Sequence, residues 1–592
     1  MESCDAVVPF TLLWSLFRTG GSSPSPASSC SDDAGSRFLR DYVARLTNAF
    51  LWFALISVTL LLARKLAQLV RLWTLGKRIP GPPAPSFFGH SKFFSSIGSG
   101  GNFTGYLAKL HAEYGPIVRL WLGPTQLLVS VRETSMIEEV LIKAGDKLPL
   151  TRRAFRLAFG RSGLFASSFE EVQRRRESLA ICLNGKLLER ATTVAPKVVK
   201  CFMGRIDSIM AKGVLDSRSI SQHIAFSLFG TTLFGDAFLA WSDATIYEEI
   251  LMLIAKDACF WASYNVPPVW RRGFWRYQSL CKKAKQLTQD IIQHCKSYYN
   301  SEHNSSCDKT SYATRNARAG GTNLLDDKIS SKFLFEELEG LLISEDGQCG
   351  DMVGVMFHGC LATASLIWSI LTRLSFYPEV QEKIYSEIYR VQKGASNPDI
   401  YCVKNMHFLL ATVYESSRLS PGGSLLQRCS VKCDLNLETG ITVPAGAIIV
   451  VPLQLVHSDK SIWGKDACLF NPNRFFSKAL CRRYSHAVGE PDSVSVTSLK
   501  GTSHDFQESE ETSSRFNEPS KSTFLSFGSG ARACVGQEFA ILGISTFLAA
   551  LLQEYEVRTQ AGPDNSPRPA AEDFVLNYLP NTNFVFVKRN KS

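Results

Sequence analysis

A chain of 592 residues has room for more than one core, and its 45% hydrophobic and 20% charged composition excludes wholesale disorder. The net charge of +11 suits an anionic membrane surface or an acidic protein partner, and the lack of any zinc-finger or RNA-binding signature argues against nucleic acid. Sixteen cysteines are scattered without a C-x-x-C pair, which points to reduced thiols facing the cytosol and not to a disulfide framework.

Residues 1–45 read as an irregular leader, with a Gly/Ser/Pro-rich run over 20–29. Residues 46–63 are mainly apolar and uncharged, close to the minimum for a spanning helix. Arg64, Lys65, Arg71, Lys77 and Arg78 follow, so the C-terminal side is expected in the cytosol as an uncleaved endoplasmic-reticulum anchor. A plastid transit peptide is the alternative, although Glu2, Asp5, Asp32 and Asp33 make the leader acidic for one. Residues 79–85, Ile-Pro-Gly-Pro-Pro-Ala-Pro, read as a semi-rigid spacer before a globular domain over 86–592.

Within that domain, residues 117–131 read as a hairpin broken at Gly123-Pro124, and 135–143 as a helix. Arg174, Arg175 and Arg176 sit on a helix expected to begin near Ser168. Residues 191–280 are mostly helical, with an aromatic patch of Phe260, Trp261, Tyr264 and Trp270 around Pro267-Pro268. Residues 301–331 are polar and read as a surface loop. Residues 351–376 are apolar nearly all round, as in a helix buried through the middle of a large domain, and an amphipathic helix follows over 379–391. Glu415 and Arg418, three apart, share a helix face. The Ser/Glu/Lys-rich stretch 476–522 cannot bury enough apolar area to order itself and is expected to be a disordered insertion.

The chain is organised around residues 526–540, Ser-Phe-Gly-Ser-Gly-Ala-Arg-Ala-Cys-Val-Gly-Gln-Glu-Phe-Ala. Gly528 and Gly530 permit backbone angles and approaches that side chains forbid. Cys534 falls where the loop becomes a helix, a position that favours an anionic sulfur. Gly536 leaves the first helical turn open to a flat ligand, and Arg532 is a fixed cation suited to a carboxylate on it. A thiolate beside a flat, acid-bearing ligand describes haem with a cysteine axial ligand.

The spacing of Phe527, Gly530, Arg532, Cys534 and Gly536 resembles the haem-binding loop of the cytochrome P-450 superfamily. Glu415-x-x-Arg418 and Pro472-Asn473-Arg474-Phe475 resemble that family's scaffolding elements, in which the glutamate and two arginines form a buried network. Tyr377-Pro378-Glu379 resembles the start of the helix after its central one. The resemblance implies a mainly α fold with small β-sheets and a membrane anchor, and haem b held by Cys534. It also implies NADPH-derived electrons delivered by NADPH-cytochrome P-450 reductase, and insertion of one oxygen atom from dioxygen into a small apolar substrate. Arg176 and Arg428 match positions that contact haem propionates, although Val172 stands where the family often has a tryptophan. The 476–522 stretch replaces a much shorter connection.

The central helix departs from the pattern. Members that split dioxygen carry Ala/Gly-Gly-x-Asp/Glu-Thr-Thr there, and the acid and first threonine relay protons. Here the segment is His358-Gly359-Cys360-Leu361-Ala362-Thr363, which puts Leu361 at the acid and Ala362 at the alcohol. Aligning on Trp368 shifts the register by one and restores neither. Thr363 or His358 could relay protons instead. The open alternatives are a reductase-independent isomerase or dehydratase acting on a peroxide or activated substrate, and a haem-binding protein without turnover. The substrate reads as lipid-, terpenoid- or hormone-like.

Overall fold

The computed structural model describes residues 33–86, 89–90, 103–146, 149–160, 163–211, 217–262, 268–307, 336–342, 349–393, 403–430, 433–476, 519–520, 523–559 and 583–590. Most of the leader and of the 476–522 stretch, and residues Tyr264 and Pro267, therefore lie outside the described residues. The chain divides into two compact units, Met1–Arg71 and Leu72–Ser592.

The described part of the first unit belongs to one helix, α1 (Asp33–Arg78). Its apolar side chains, including Phe50, Trp52, Phe53 and Leu60, are exposed, an arrangement lipid tolerates and water does not. The stretch Leu39–Arg78 is long and apolar enough to cross a membrane. The helix outruns the expected 46–63 at both ends. Leucine, arginine and lysine are good helix formers, and no proline interrupts the chain from Asp33 to Arg78.

The proline-rich segment is not a free spacer. Ile79 is fully buried, and the Arg119 amide donates to the Pro80 carbonyl at 2.8 Å. Gly81, at φ 155°, passes so close that a Cβ there would lie 2.5 Å from the Arg119 carbonyl oxygen. Just before it, Trp73 stacks on Trp121 with ring centroids 4.1 Å apart. Apolar burial thus docks the segment on the first strand.

That strand, β1 (Ile117–Trp121), forms the expected hairpin with β2 (Leu127–Val131). Strand β3 (Leu425–Cys429) lies at the far edge of the same sheet, and a small pair, β4 (Leu435–Asn436) and β5 (Thr442–Val443), stands apart. Strand β6 (Ile448–Pro452) runs parallel to β2 and antiparallel to β3, giving the order β1-β2-β6-β3. The last two strands, β7 (Tyr555–Thr559) and β8 (Phe584–Lys588), pair antiparallel.

The rest is helical. Helices α2 (Thr134–Lys143), α3 (Pro149–Phe159) and α4 (Phe169–Cys182) follow the hairpin. Helix α4 starts beside Ser168 as expected, where the Ser168 amide donates to Glu171 at 3.3 Å. Helices α5 (Leu188–Ala211), α6 (Ser217–Phe234), α7 (Ala244–Ala262) and α8 (Arg272–Cys307) form the middle. Helix α8 carries the chain to Cys307, past the expected start of the polar loop. The aromatic patch divides: Trp261 is buried against Phe274 and Tyr277, whereas Phe260 and Trp270 are exposed.

Helix α9 (Gly350–Phe376) runs through the core, buried along most of its length. Helices α10 (Pro378–Lys393), α11 (His407–Leu419) and α12 (Gln537–Glu554) follow it. One apolar cluster joins the first half of α9 to α6, α7 and α8, and a second joins its other half to α10, α11 and α12. The loop carrying Cys534 leads directly into α12.

Candidate active site

The 523–536 loop is built by short-range bonds that the two glycines make possible. Gly528 and Gly530 sit at φ 71° and 69°, a region only glycine adopts freely. At Gly530 a Cβ would also lie 2.2 Å from the Leu141 carbonyl oxygen, so the loop presses against α2 as no other residue would allow. The Cys534 amide donates to the Phe527 carbonyl at 2.8 Å and closes the loop. Gly536 differs. It is the cap of α12 at φ −106°, and a Cβ there would meet only a Leu183 methyl at 3.4 Å.

Cys534 is accessible, yet protein packed around it desolvates the sulfur and pushes the thiol above its ordinary value. The Gly536 amide and the Arg176 guanidinium pull the other way without winning. Burial thus acts against the anionic sulfur that the helix start favours. The loop also walls a cavity of about 730 Å³ bounded by Tyr414, Phe524, Gly528 and Glu538. Cys534 itself lines that cavity, with Gly530, Ala533 and Val535.

Three arginines converge here from distant parts of the chain. Arg176 of α4 donates to the Ala533 carbonyl at 2.8 Å. Arg532 uses only Nε, on the Gly145 carbonyl at 2.9 Å, and both its Nη atoms are buried without a protein partner. Arg428 of β3 donates to the Gln427 carbonyl at 3.0 Å and leaves Nε buried and unpartnered. Burial lowers Arg532 and Arg428 to about 10 each, and repulsion among the three guanidinium groups adds to it. Asp146 opposes this at Arg532 and is outweighed. Val172, where a tryptophan would stand, is buried in the apolar core. A cluster of this kind requires an anion.

Glu415, Arg418 and Arg474 form the expected network, all at or near full burial. Arg418 holds Glu415 bidentately through Nε and Nη2, each at 2.8 Å, and Arg474 Nε reaches the same carboxylate at 3.4 Å. Asp466 accepts from Arg474 Nη1 and Nη2, each at 2.9 Å, and Nη1 also donates to the Trp463 carbonyl. Sequence reasoning missed how this network is tied to the cysteine loop. The His457 ring bonds the Arg418 carbonyl through Nδ1 at 2.9 Å and accepts the Leu525 amide at Nε2 at 3.0 Å. The amide at Nε2 fixes the tautomer with the proton on Nδ1. A second tie runs from the Ser526 hydroxyl to the Ser417 carbonyl at 2.8 Å.

On α9, burial shows which face is open. Ala362 is exposed in mid-helix, and His358, Leu361 and Ser365 are only half-buried, whereas Cys360, Thr363 and Ala364 are buried. The four share one helix face by their i, i+3, i+4, i+7 spacing. The open face therefore carries Leu361 and Ala362, the residues at the expected acid and alcohol positions. Thr363 points elsewhere, among Leu228, Phe229 and Phe539. Gly359 also faces α6: a Cβ there would fall 2.2 Å from the Phe229 ring. His358 stands against Phe155, Phe159, Phe165 and Phe357, with ring centroids 4.5–6.2 Å away.

The Cytochrome P450 family model matches residues 79–582. The chain belongs to the cytochrome P450 family. Relatives include cytochrome P450 72A397 of Kalopanax septemlobus, 23% identical over 77% of this chain and 78% of that protein. The cytokinin hydroxylase of Arabidopsis thaliana is 23% identical over 75% of this chain and 76% of its own length. Cytochrome P450 4c21 of Blattella germanica is 21% identical over 77% and 82%. This P450 is a haem-thiolate monooxygenase by family. Its residues fit the haem: unpartnered buried guanidinium nitrogens suit the two propionates, and a cysteine on a glycine-shaped loop suits the iron.

Proposed function

We propose that Cys534 ligates the haem iron, and that Arg176, Arg428 and Arg532 hold the haem carboxylates. Glu415, Arg418, Arg474 and His457 fix the loop that carries the cysteine. The observation that carries this reading is the convergence of three arginines, two of which, Arg428 and Arg532, keep buried N–H groups that no protein acceptor meets. Bound haem supplies dioxygen cleavage, with cysteine thiolate pushing electron density toward that step. The open face of α9 positions a small apolar substrate of lipid, terpenoid or hormone-like character, in keeping with the hydroxylase among the relatives. Electrons come from NADPH through NADPH-cytochrome P450 reductase, and α1 anchors the protein in the endoplasmic-reticulum membrane with the catalytic domain in the cytosol.

The test is spectroscopic. Ferrous protein with carbon monoxide should show the red-shifted Soret band of thiolate ligation, and Cys534→Ala should abolish it. NADPH-dependent oxygen uptake with the reductase should follow. A band that survives Cys534→Ala would overturn the ligand assignment.

One observation favours a second reading. The open face of α9 carries neither acid nor threonine at Leu361 and Ala362. That suits a reductase-independent isomerase or dehydratase of a peroxide. Conversion of a fatty-acid hydroperoxide without NADPH, with no reductase-driven oxygen uptake, would decide for it.

A further inference from the structure

We infer that Asn184 is a positioning residue for the haem ligand: it holds the Val535 carbonyl and thereby aims the next amide, that of Gly536, at the Cys534 sulfur. The inference rests on the reading that Cys534 ligates the iron.

The residues flanking Cys534, Ala533 and Val535, offer only main-chain groups for hydrogen bonding. Both of their carbonyls are met from the same stretch of chain. Arg176 of α4 donates to the Ala533 carbonyl at 2.8 Å, and Asn184 Nδ2 donates to the Val535 carbonyl at 3.3 Å. Asn184 lies just beyond α4, in a π-helical turn, Leu183–Leu187, that joins it to α5. The turn holds Gly185 at φ −105° and ψ −108°, outside helical values, and such turns recur at functional sites. The other amide atom of Asn184 is also used, since Oδ1 accepts the Phe539 amide at 3.2 Å. Phe539 is the third residue of α12, so its amide has no acceptor within the helix, and the capping residue Gly536 has no side chain to supply one. One side chain thus caps α12 and holds the peptide that precedes it. Asn184 also lines the same cavity as Cys534.

The hold reaches the sulfur because the Val535 carbonyl and the Gly536 N–H belong to one planar peptide. That N–H donates to the Cys534 sulfur, and the carbonyl opposite it is the atom Asn184 grips. Fixing one end of the plane fixes the direction of the other. A donor on the carbonyl also polarises the peptide and strengthens its N–H as a donor. A hydrogen bond to a ligating sulfur draws charge from it and favours the reduced metal. Without Asn184 the bond to sulfur weakens, and the ferric state gains.

Two substitutions separate the two bonds of the amide. Asn184→Ala loses both, whereas Asn184→Asp still accepts from Phe539 but cannot donate to Val535. Redox titration of full-length, haem-loaded protein should show the ferrous state disfavoured about threefold in both variants, a fall of roughly 28 mV at about 59 mV per tenfold. Deuterium uptake by the first turn of α12 should rise about fivefold in Asn184→Ala and match the wild type in Asn184→Asp. Unchanged potentials in both variants would overturn the inference and leave Asn184 a helix cap only. A fall in only one would overturn it too, tracing the effect to the lost cap in Asn184→Ala or to the new charge in Asn184→Asp. If Asn184→Ala does not fold, Asn184→Ser, too short to reach Val535, replaces it. The carbon-monoxide band of the wild type is read first. A missing band sinks the ligand reading itself, whereas a normal band with unchanged potentials sinks only the role of Asn184.

Discussion

His457 is buried completely, and burial together with the Arg418 charge holds its imidazole down near about 3. The unfolded ring titrates near about 6.5, so below that pH the unfolded chain binds a proton that the folded chain refuses. The stability His457 supports is complete above pH about 6.5 and is lost as pH falls toward the folded value, at about 1.4 kcal/mol per pH unit. His457→Gln keeps a donor and an acceptor but has nothing to titrate. Denaturant titrations at pH 7 and pH 5 should therefore show the drop in stability shrink by about 2 kcal/mol in the variant. An unchanged drop would remove His457 from the pH response. A related argument concerns Arg532, whose two Nη atoms lie buried without a partner. Arg532→Leu should raise the melting temperature of haem-extracted protein, by the equivalent of about 1 kcal/mol, and lower that of haem-loaded protein. Calorimetric melts of both forms read the two signs, and a loss in both would place the role of Arg532 in the protein alone.

At the scale of elements, the cysteine loop and the Glu415 network were legible because their chemistry lies in short, contiguous runs of unusual residues. The spacing of Phe527 to Gly536 and the pairing of Glu415 with Arg418 survive in the fold unchanged. Three features were not legible, each for a physical reason. The open face of α9 was hidden because the helix is apolar all round, so periodicity gave no direction until burial did. His457 acts through two main-chain groups, which leave no trace in side-chain spacing. The glycines of the loop look alike in sequence, yet Gly530 is forced by its positive φ and by Leu141, whereas Gly536 is not. Gly530→Ala should therefore cost about 2 kcal/mol or more, and Gly536→Ala about 0.5 kcal/mol or less. Chemical denaturation of the two variants checks the contrast, and equal losses would refute it.

At the scale of the molecule, the position of a truncation follows from where apolar burial begins rather than from where the apolar helix ends. The chain divides at Arg71 and Leu72, inside α1. Leu72 and Trp73 already pack on the cluster that holds β1 and β2, Trp73 stacks on Trp121, and its indole N–H donates to the Pro124 carbonyl at 2.7 Å. Ile79 is fully buried and the Pro80 carbonyl holds Arg119. A cut at the end of the proline-rich segment, the natural choice if that segment were a spacer, removes all of these contacts. At about 1.5–3 kcal/mol per buried large side chain, the loss is of the order of 4 kcal/mol or more. Protein starting at Leu72 should therefore leave the membrane fraction and keep both its melting temperature and the carbon-monoxide band. Protein starting at Ser86 should melt well below it, by roughly 5 °C or more, and lose haem on dilution. Matching melts for the two would mean that the segment from Leu72 to Pro85 contributes nothing to the catalytic unit, despite the burial of Ile79 and the stacking of Trp73.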